Sequence, residues 1–278
     1  MDKVITLVEI QTEIKAIKTI NRGFITNFYP EFDKLSVLIE KGKLYKKIIG
    51  NSVFFFAEKT GFSHLFYCSP STKALSDSLS QLKLIIGKTL LVADIIGKES
   101  DIQSIVQIFR ENEFYLYTTL NRMSRSTKMD EYKNPSINLK KAEITHTEAI
   151  FNLLNKYFDP LAEQLPSQDE INNWIKLNHL ILIEEKNEIL GFVIFDLIGV
   201  TSYLRYWFVH PQYRNRKIGS TLLQEYFKNS AETKRQLFWV IQTNENAINR
   251  YLHYGFHPEN LYDYIMTNKN IDYETTNN

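Results

Sequence analysis

The sequence predicts an α/β fold (α+β mixed) made of two tandem lobes, each a twisted mixed sheet flanked by helices. Three observations predict it. At 278 residues the chain is long for one compact domain, and a prior of about 150 residues per domain favours two. The order of strand-like and helix-like segments runs twice along the chain. Between the two runs, residues 123–140 read MSRSTKMDEYKNPSINLK, polar and with one proline, as a linker does. The expected division is a first lobe over 1–128, a linker over 129–137, a second lobe over 138–268 and a polar tail over 269–278.

Residues 3–19 place apolar side chains at helical spacing and predict an amphipathic helix. Residues 44–49, 52–58 and 62–68 are rich in Ile, Val, Phe and Tyr, and Lys59-Thr60-Gly61 reads as a hairpin turn between the last two. A helix over 71–84, a buried strand over 88–96, a helix over 100–111 and a strand over 114–120 complete the first lobe. In the second, a strand over 138–144 and a helix over 146–157 precede a helix over 168–177, for which Ser167 offers an N-cap. Strands follow at 179–185, 189–198 and 202–209, the first two joined by a tight Lys186-Asn187-Glu188 turn. A helix over 218–229, a strand over 236–242, a helix over 245–254 and a strand over 262–267 end the lobe. Placing Phe114 under Phe256 aligns IFRENEF with RYLHYGF and sets Met123 one residue from Met266. Internal duplication at a period of about 142 residues is one reading of this match; chance similarity of two mixed α/β halves is the other.

Composition excludes several classes. Hydrophobic residues at 44% and aromatic residues at 13% suffice for a core in each half. A formal charge of +1 gives no ground for a polyanion binder, so nucleic acid is not an expected partner. Cys68 is the only cysteine, which rules out an intrachain disulfide and a Cys-rich zinc site and fits a reducing compartment. The His253/His257 pair alone does not make a metal site. The N-terminus, MDKVITLVEIQTEIKAIKTI, is interrupted by charges and does not read as a signal peptide. No apolar run approaches the roughly 18 residues that span a bilayer. The expectation is a cytoplasmic protein without membrane contact, monomeric or homodimeric.

One segment carries most of the chemistry: Val209-His210-Pro211-Gln212-Tyr213-Arg214-Asn215-Arg216-Lys217-Ile218-Gly219-Ser220, which follows a strand and opens a helix. A helix start exposes unpaired amides and the positive end of the dipole, so a loop wrapped there holds a pyrophosphate. Gly219 lets the backbone come close, Ser220 offers an amide and a hydroxyl, and Arg214, Arg216 and Lys217 add positive charge. The segment resembles the Gln/Arg-x-x-Gly-x-Gly/Ala loop of the GNAT acetyltransferase superfamily. Arg214 matches its first position and Gly219 its last, while Lys217 stands where the family has its first glycine. The resemblance implies a strand that splays from its neighbour, with the peptide groups of Phe208 and Val209 pairing to a pantetheine arm in the manner of an added strand. It also implies acetyl-CoA as co-substrate, bound by Phe208, Val209, Arg214, Asn215, Arg216, Lys217, Ile218, Gly219 and Ser220.

A second segment, Asn244-Glu245-Asn246-Ala247-Ile248-Asn249-Arg250-Tyr251-Leu252-His253-Tyr254-Gly255-Phe256, resembles the family's Asn-x-x-Ala-x-x-x-Tyr-x-x-x-Gly-Phe. The resemblance implies that Asn244 bonds the cofactor and that Tyr251 contacts it and protonates the departing CoA thiolate. The function implied is transfer of an acetyl group from CoA to a primary amine of a small molecule or peptide. A catalytically silent CoA-binding module is the alternative, and a tandem-lobe aminoacyl or peptidyl transferase is a third reading. No glutamate lies in 203–209; Glu143, Asp196 and His146 are possible substitutes, and none is chosen as base. Trp174 and Trp207 either line an acceptor pocket or pack in the core. The first lobe reads as a degenerate GNAT-like repeat: Phe109 stands for Tyr251, Ile102 for Asn244 and Glu113 for Gly255. After Cys68, the run Ser69-Pro70-Ser71-Thr72-Lys73 enters a helix without a glycine. Its role is either to complete a substrate cleft or to serve structure and dimerisation.

Overall fold

The computed structural model describes residues 1–21, 23–29, 32–127 and 139–273, so the expected linker over 129–137 lies outside the described residues. The chain forms two compact units. The first comprises Met1–Leu120 and the segment that begins at Asn260; the second comprises Asn121–Glu259.

The first unit runs β1 (Asp2–Lys3), α1 (Leu7–Ile20), β2 (Ile25–Thr26), α2 (Phe32–Glu40), β3 (Leu44–Ile49), β4 (Ser52–Glu58), β5 (Ser63–Ser69), α3 (Thr72–Ile85), β6 (Leu91–Gly97) and α4 (Glu99–Glu111), then enters β7 (Tyr115–Ser126). The second continues with β8 (Lys140–Lys141), α5 (Thr147–Tyr157), α6 (Gln168–Lys176), β9 (Leu180–Glu185), β10 (Glu188–Ile198), β11 (Thr201–Val209), α7 (Ile218–Asn229), β12 (Arg235–Ile241) and α8 (Glu245–His253), and enters β13 (His257–Thr267). The periodicity anticipates most of these, and α6 starts at the expected cap: Ser167 and Glu170 form a reciprocal capping box. Neither β2 nor α2 is anticipated. The expected strand over 138–144 shrinks to β8, because Glu143 and His146 close a capped turn around Ile144–His146.

Strand order is β1-β3-β4-β5-β6-β13 in the first unit and β8-β9-β10-β11-β12-β7 in the second. In both, an antiparallel meander precedes a helix and then a parallel strand. Strands covered on both faces read as nearly unbroken apolar runs. β4 buries Val53 through Ala57 between one cluster that includes Leu75, Leu79 and Phe109 and another that includes Ile10, Ile17 and Phe28.

The last strand of each unit departs from the expected division. Residues 262–267, assigned to the second lobe by sequence, pair with β6 in the first unit, from Tyr262↔Gly97 to Thr267↔Val92. Asn121 to Ser126, assigned to the first lobe, are strand residues of the second unit. Each unit therefore takes its last strand from the other half of the sequence. The polar text of 123–126 hides a strand because one inward residue is an arginine. Met123 and Arg125 are buried, and Arg125 is satisfied by Gln236 Oε1 (2.6 Å), by Tyr254 O (2.7 Å) and by the Phe227 ring at 3.7 Å.

Candidate active site

In the second unit β11 and β12 begin as a parallel pair and then part. Their register covers only Thr201↔Arg235, Ser202↔Gln236 and Tyr203↔Leu237. At that point β11 carries a bulge: Ile194 of β10 faces Tyr206 and Phe195 faces Leu204, which leaves Arg205 as an extra residue. A bulge bends and twists its strand, and here Arg205 is fixed by Nε donating to Asp196 Oδ2 at 2.6 Å. The unpaired lengths, Leu204–Val209 and Phe238–Ile241, line a cavity of about 220 Å³.

Strand alternation decides which peptide groups face that gap. His210 N donates to Leu190 O at 2.9 Å, and the constant register with β10 makes Phe208 and Phe192 a hydrogen-bonded pair as well. Phe208, expected to offer its backbone to a ligand, is thus turned toward β10, and the peptide groups of Trp207 and Val209 face the gap.

Beyond Val209 the chain turns through Pro211–Tyr213 and enters α7. Asn215 and Lys217 both have left-handed backbone, φ 73° and 60°. Lys217 adopts the conformation that glycine adopts with least strain. Among the described residues, the amides of Asn215, Lys217, Ile218, Gly219 and Ser220 have no acceptor, and α7 has no side-chain cap. That cluster of free amides at a helix start is suited to an anion. Arg214 lines the cavity, whereas Arg216 is held by Glu185 Oε1 at 2.6 Å. Ser220 Oγ donates to Lys217 O at 2.8 Å. Gly219 has a packing reason beside the expected one. A Cβ there would meet Trp207 Cζ2 at 3.1 Å and Val209 Cγ2 at 3.2 Å, so the glycine lets α7 lie against β11, where Trp207 Nε1 donates to Gly219 O.

Tyr251 reaches the same cavity from α8. Its ring lies tilted against Phe238 with centroids 3.9 Å apart and meets Trp207 at 5.4 Å. Its hydroxyl has no partner among the described residues. Burial raises its pKa, and the charge of Glu163 acts in the same direction, so the phenol keeps its proton. Asn244 lines the cavity and caps α8, Oδ1 accepting from Ala247 N at 3.1 Å.

Sequence reasoning did not find Glu163, which lies in the loop between α5 and α6 and lines the cavity. Tyr206 Oη, on β11, donates to the carbonyl oxygens of Glu163 and Gln164, both at 3.1 Å, and holds that loop in place. Glu163 Oε2 accepts from Asp159 N at 2.8 Å. Burial, with the charge of Asp159 adding to it, pushes the carboxyl up to about 7 despite that hydrogen bond. The three substitutes considered from sequence are engaged elsewhere. Glu143 and His146 cap their own turn, and Asp196 accepts from Trp174 Nε1 and Arg205 Nε, both at 2.6 Å. Trp174 is a core residue, while Trp207 lines the cavity.

The corresponding gap in the first unit is filled by the chain itself. β5 and β6 pair only at Ser63↔Leu91 and His64↔Val92. Asn27, just past β2, bridges the opening: Nδ2 donates to Leu65 O (3.0 Å) and Asp94 O (3.1 Å), and Oδ1 accepts from Tyr67 N (2.7 Å). The following helix, α3, is capped by Ser71 Oγ, which accepts from Ala74 N at 3.1 Å.

Residues 147–256 match the family model described as Acetyltransferase (GNAT) family. Among solved structures, the chain is similar to a GCN5-related N-acetyltransferase from Sphaerobacter thermophilus at 13% identity and TM-score 0.56, covering 95% of this chain and 93% of that one. It is similar to an acetyltransferase from the GNAT family from Colwellia psychrerythraea at 12% identity and TM-score 0.56, over 96% and 98%. A tandem GNAT protein from the clavulanic acid biosynthesis pathway matches at 10% identity and TM-score 0.55, over 80% of each chain. Identities this low speak for the fold. No curated protein matches the chain in sequence.

Proposed function

We propose that the chain, whose residues 147–256 match the acetyltransferase (GNAT) family model, transfers an acetyl or other short acyl group from CoA to a primary amine by direct attack. The observation that carries this reading is the unpaired gap between β11 and β12, with the free phenol of Tyr251 lining it and uncapped amides at the helix start that follows β11. Acetyl-CoA, when bound, supplies the activated acyl carbon. Val209 and Trp207 offer peptide groups to an extended pantetheine arm, as a sheet edge does to an added strand. The amides of Asn215 and of Lys217 through Ser220 offer donors to a pyrophosphate, with Arg214 alongside.

Tyr251 donates its proton to the sulfur as the C–S bond breaks. The burial that keeps the phenol protonated also disfavours a thiolate, so the proton is held where the sulfur needs it. The acceptor class is a small-molecule or peptide amine. Calorimetry with acetyl-CoA and a thiol-release assay over an amine panel test the reading. Saturable binding with thiol release on at least one amine supports it; binding without turnover on any amine replaces it with a silent CoA-binding module.

A further inference from the structure

We propose that Glu163 binds the acceptor as a cation and removes its proton, so that the natural acceptor is an alkylamine that arrives as an ammonium ion. The inference rests on the acetyltransferase reading and deepens it. A protonated amine has no lone pair to attack with, so a site that uses one must both attract the cation and accept its proton. Glu163 is placed for both. It lines the cavity that Tyr251 also lines, one carboxylate oxygen is tied to Asp159 N, and the other has no protein partner among the described residues. Tyr157, Phe158, Tyr206 and Phe208 line the same cavity, and aromatic side chains are the kind that stabilise a cation.

The loop is built to hold the carboxylate still. Glu163 N donates to Asp159 O at 2.9 Å, Asp159 Oδ1 accepts from the amides of Leu161 and Ala162, and Tyr206 Oη clamps the Glu163 carbonyl from the strand. Asp159 on its own loop acts on Glu163 directly, and the charged and titratable groups that line the cavity with it are Tyr157 on α5, Arg205 and Tyr206 on β11, Arg214 after it, and Arg250 and Tyr251 on α8. With the carboxyl pushed up to about 7, it is an anion at mildly alkaline pH and a stronger base than an ordinary glutamate.

The protons balance. The ammonium gives its first proton to Glu163, and the amine lone pair then forms the N–C bond. The C–S bond breaks with its electron pair on sulfur, which takes the Tyr251 proton. The nitrogen's second proton restores the phenol, and Glu163 releases its own to solvent. One proton leaves per turnover.

The test compares wild type with Glu163→Gln on two acceptor classes: alkylamines, charged near neutral pH, and alkoxyamines or anilines, which are already neutral. For alkylamines, kcat/KM is expected to fall by about 100-fold or more and to lose its limb near pH 7, with acetyl-CoA affinity unchanged. The neutral amines are expected to keep their rate within a few-fold. Glu163→Asp is expected to retain the limb at reduced rate. An equal loss on both classes, or no loss on either, overturns the proposal. If wild type releases thiol with no amine at all, it is the acetyltransferase reading that fails, and this inference falls with it.

Discussion

Phe109 and Tyr251 occupy equivalent places in their units: the amide of Phe114 donates to Phe109 O at 2.9 Å, and the amide of Phe256 donates to Tyr251 O at 3.1 Å. The match continues one residue earlier, where Glu113 (φ 62°) and Gly255 (φ 80°) both turn left-handed to end the helix. A glutamate holds that turn in the first unit where a glycine holds it in the second, so the backbone plan outlasts the residue best suited to it.

What differs between the units is the state of the gap. Asn27 bridges it in the first, and Ser71 caps the helix start that follows. One chain is therefore expected to bind one equivalent of acetyl-CoA. Calorimetric stoichiometry checks this, and two equivalents per chain would mean that the Asn27 bridge opens for ligand.

Tyr251→Phe is expected to cut turnover by roughly 10-fold or more where chemistry limits the rate, with acetyl-CoA affinity little changed. The substitution is mild in packing, since Phe109 already fills the equivalent place without a hydroxyl. Unaltered turnover would remove the phenol from the chemistry.

Gly219→Val is expected to lower stability by about 1–3 kcal/mol, because the new side chain would press on Trp207 and Val209 and move α7 off β11. Acetyl-CoA affinity should fall with it, since the free amides travel with the helix. Thermal melts and calorimetry together check the pairing. A full loss of binding at unchanged melting temperature would return the glycine to the anion-approach role read from sequence.

Most of the second unit could be read from sequence, because its signals are local. Ser167 with Glu170 marks a helix start, and the spacing from Asn244 to Phe256 places a cap, a phenol and a turn on one short helix. The exchange of β7 and β13 could not be read. Strand propensity reports that a segment pairs without naming its partner, and Arg125 looks polar until Gln236 and Tyr254 are beside it. Glu163 was hidden for a similar reason. Nothing in Asp159-Pro160-Leu161-Ala162-Glu163 distinguishes a surface loop from one clamped against β11, and only the contact from Tyr206, more than forty residues away in sequence, makes the carboxylate part of a cavity. The only trace such a loop leaves in sequence is a short run of acid, proline and apolar residues between two helices.

A last prediction concerns β13 in the first unit. Asp263 is buried, its Oδ1 has no partner among the described residues, and burial together with the charge of Asp94 raises its pKa well above the ordinary carboxylate range. His64 Nε2 lies 3.2 Å from Asp94 Oδ2, so the aspartate nearest to Asp263 is itself shared with a histidine. A carboxyl raised on folding contributes stability that is complete below its unfolded pKa, about 3.9, and is lost as pH rises through the folded value. Asp263→Asn keeps the shape and cannot ionise. It is expected to melt higher than wild type at pH 8 and to lose that advantage toward pH 4. Melting curves at the two pH values decide it. A variant destabilised equally at both would show that the ionised carboxylate is accommodated.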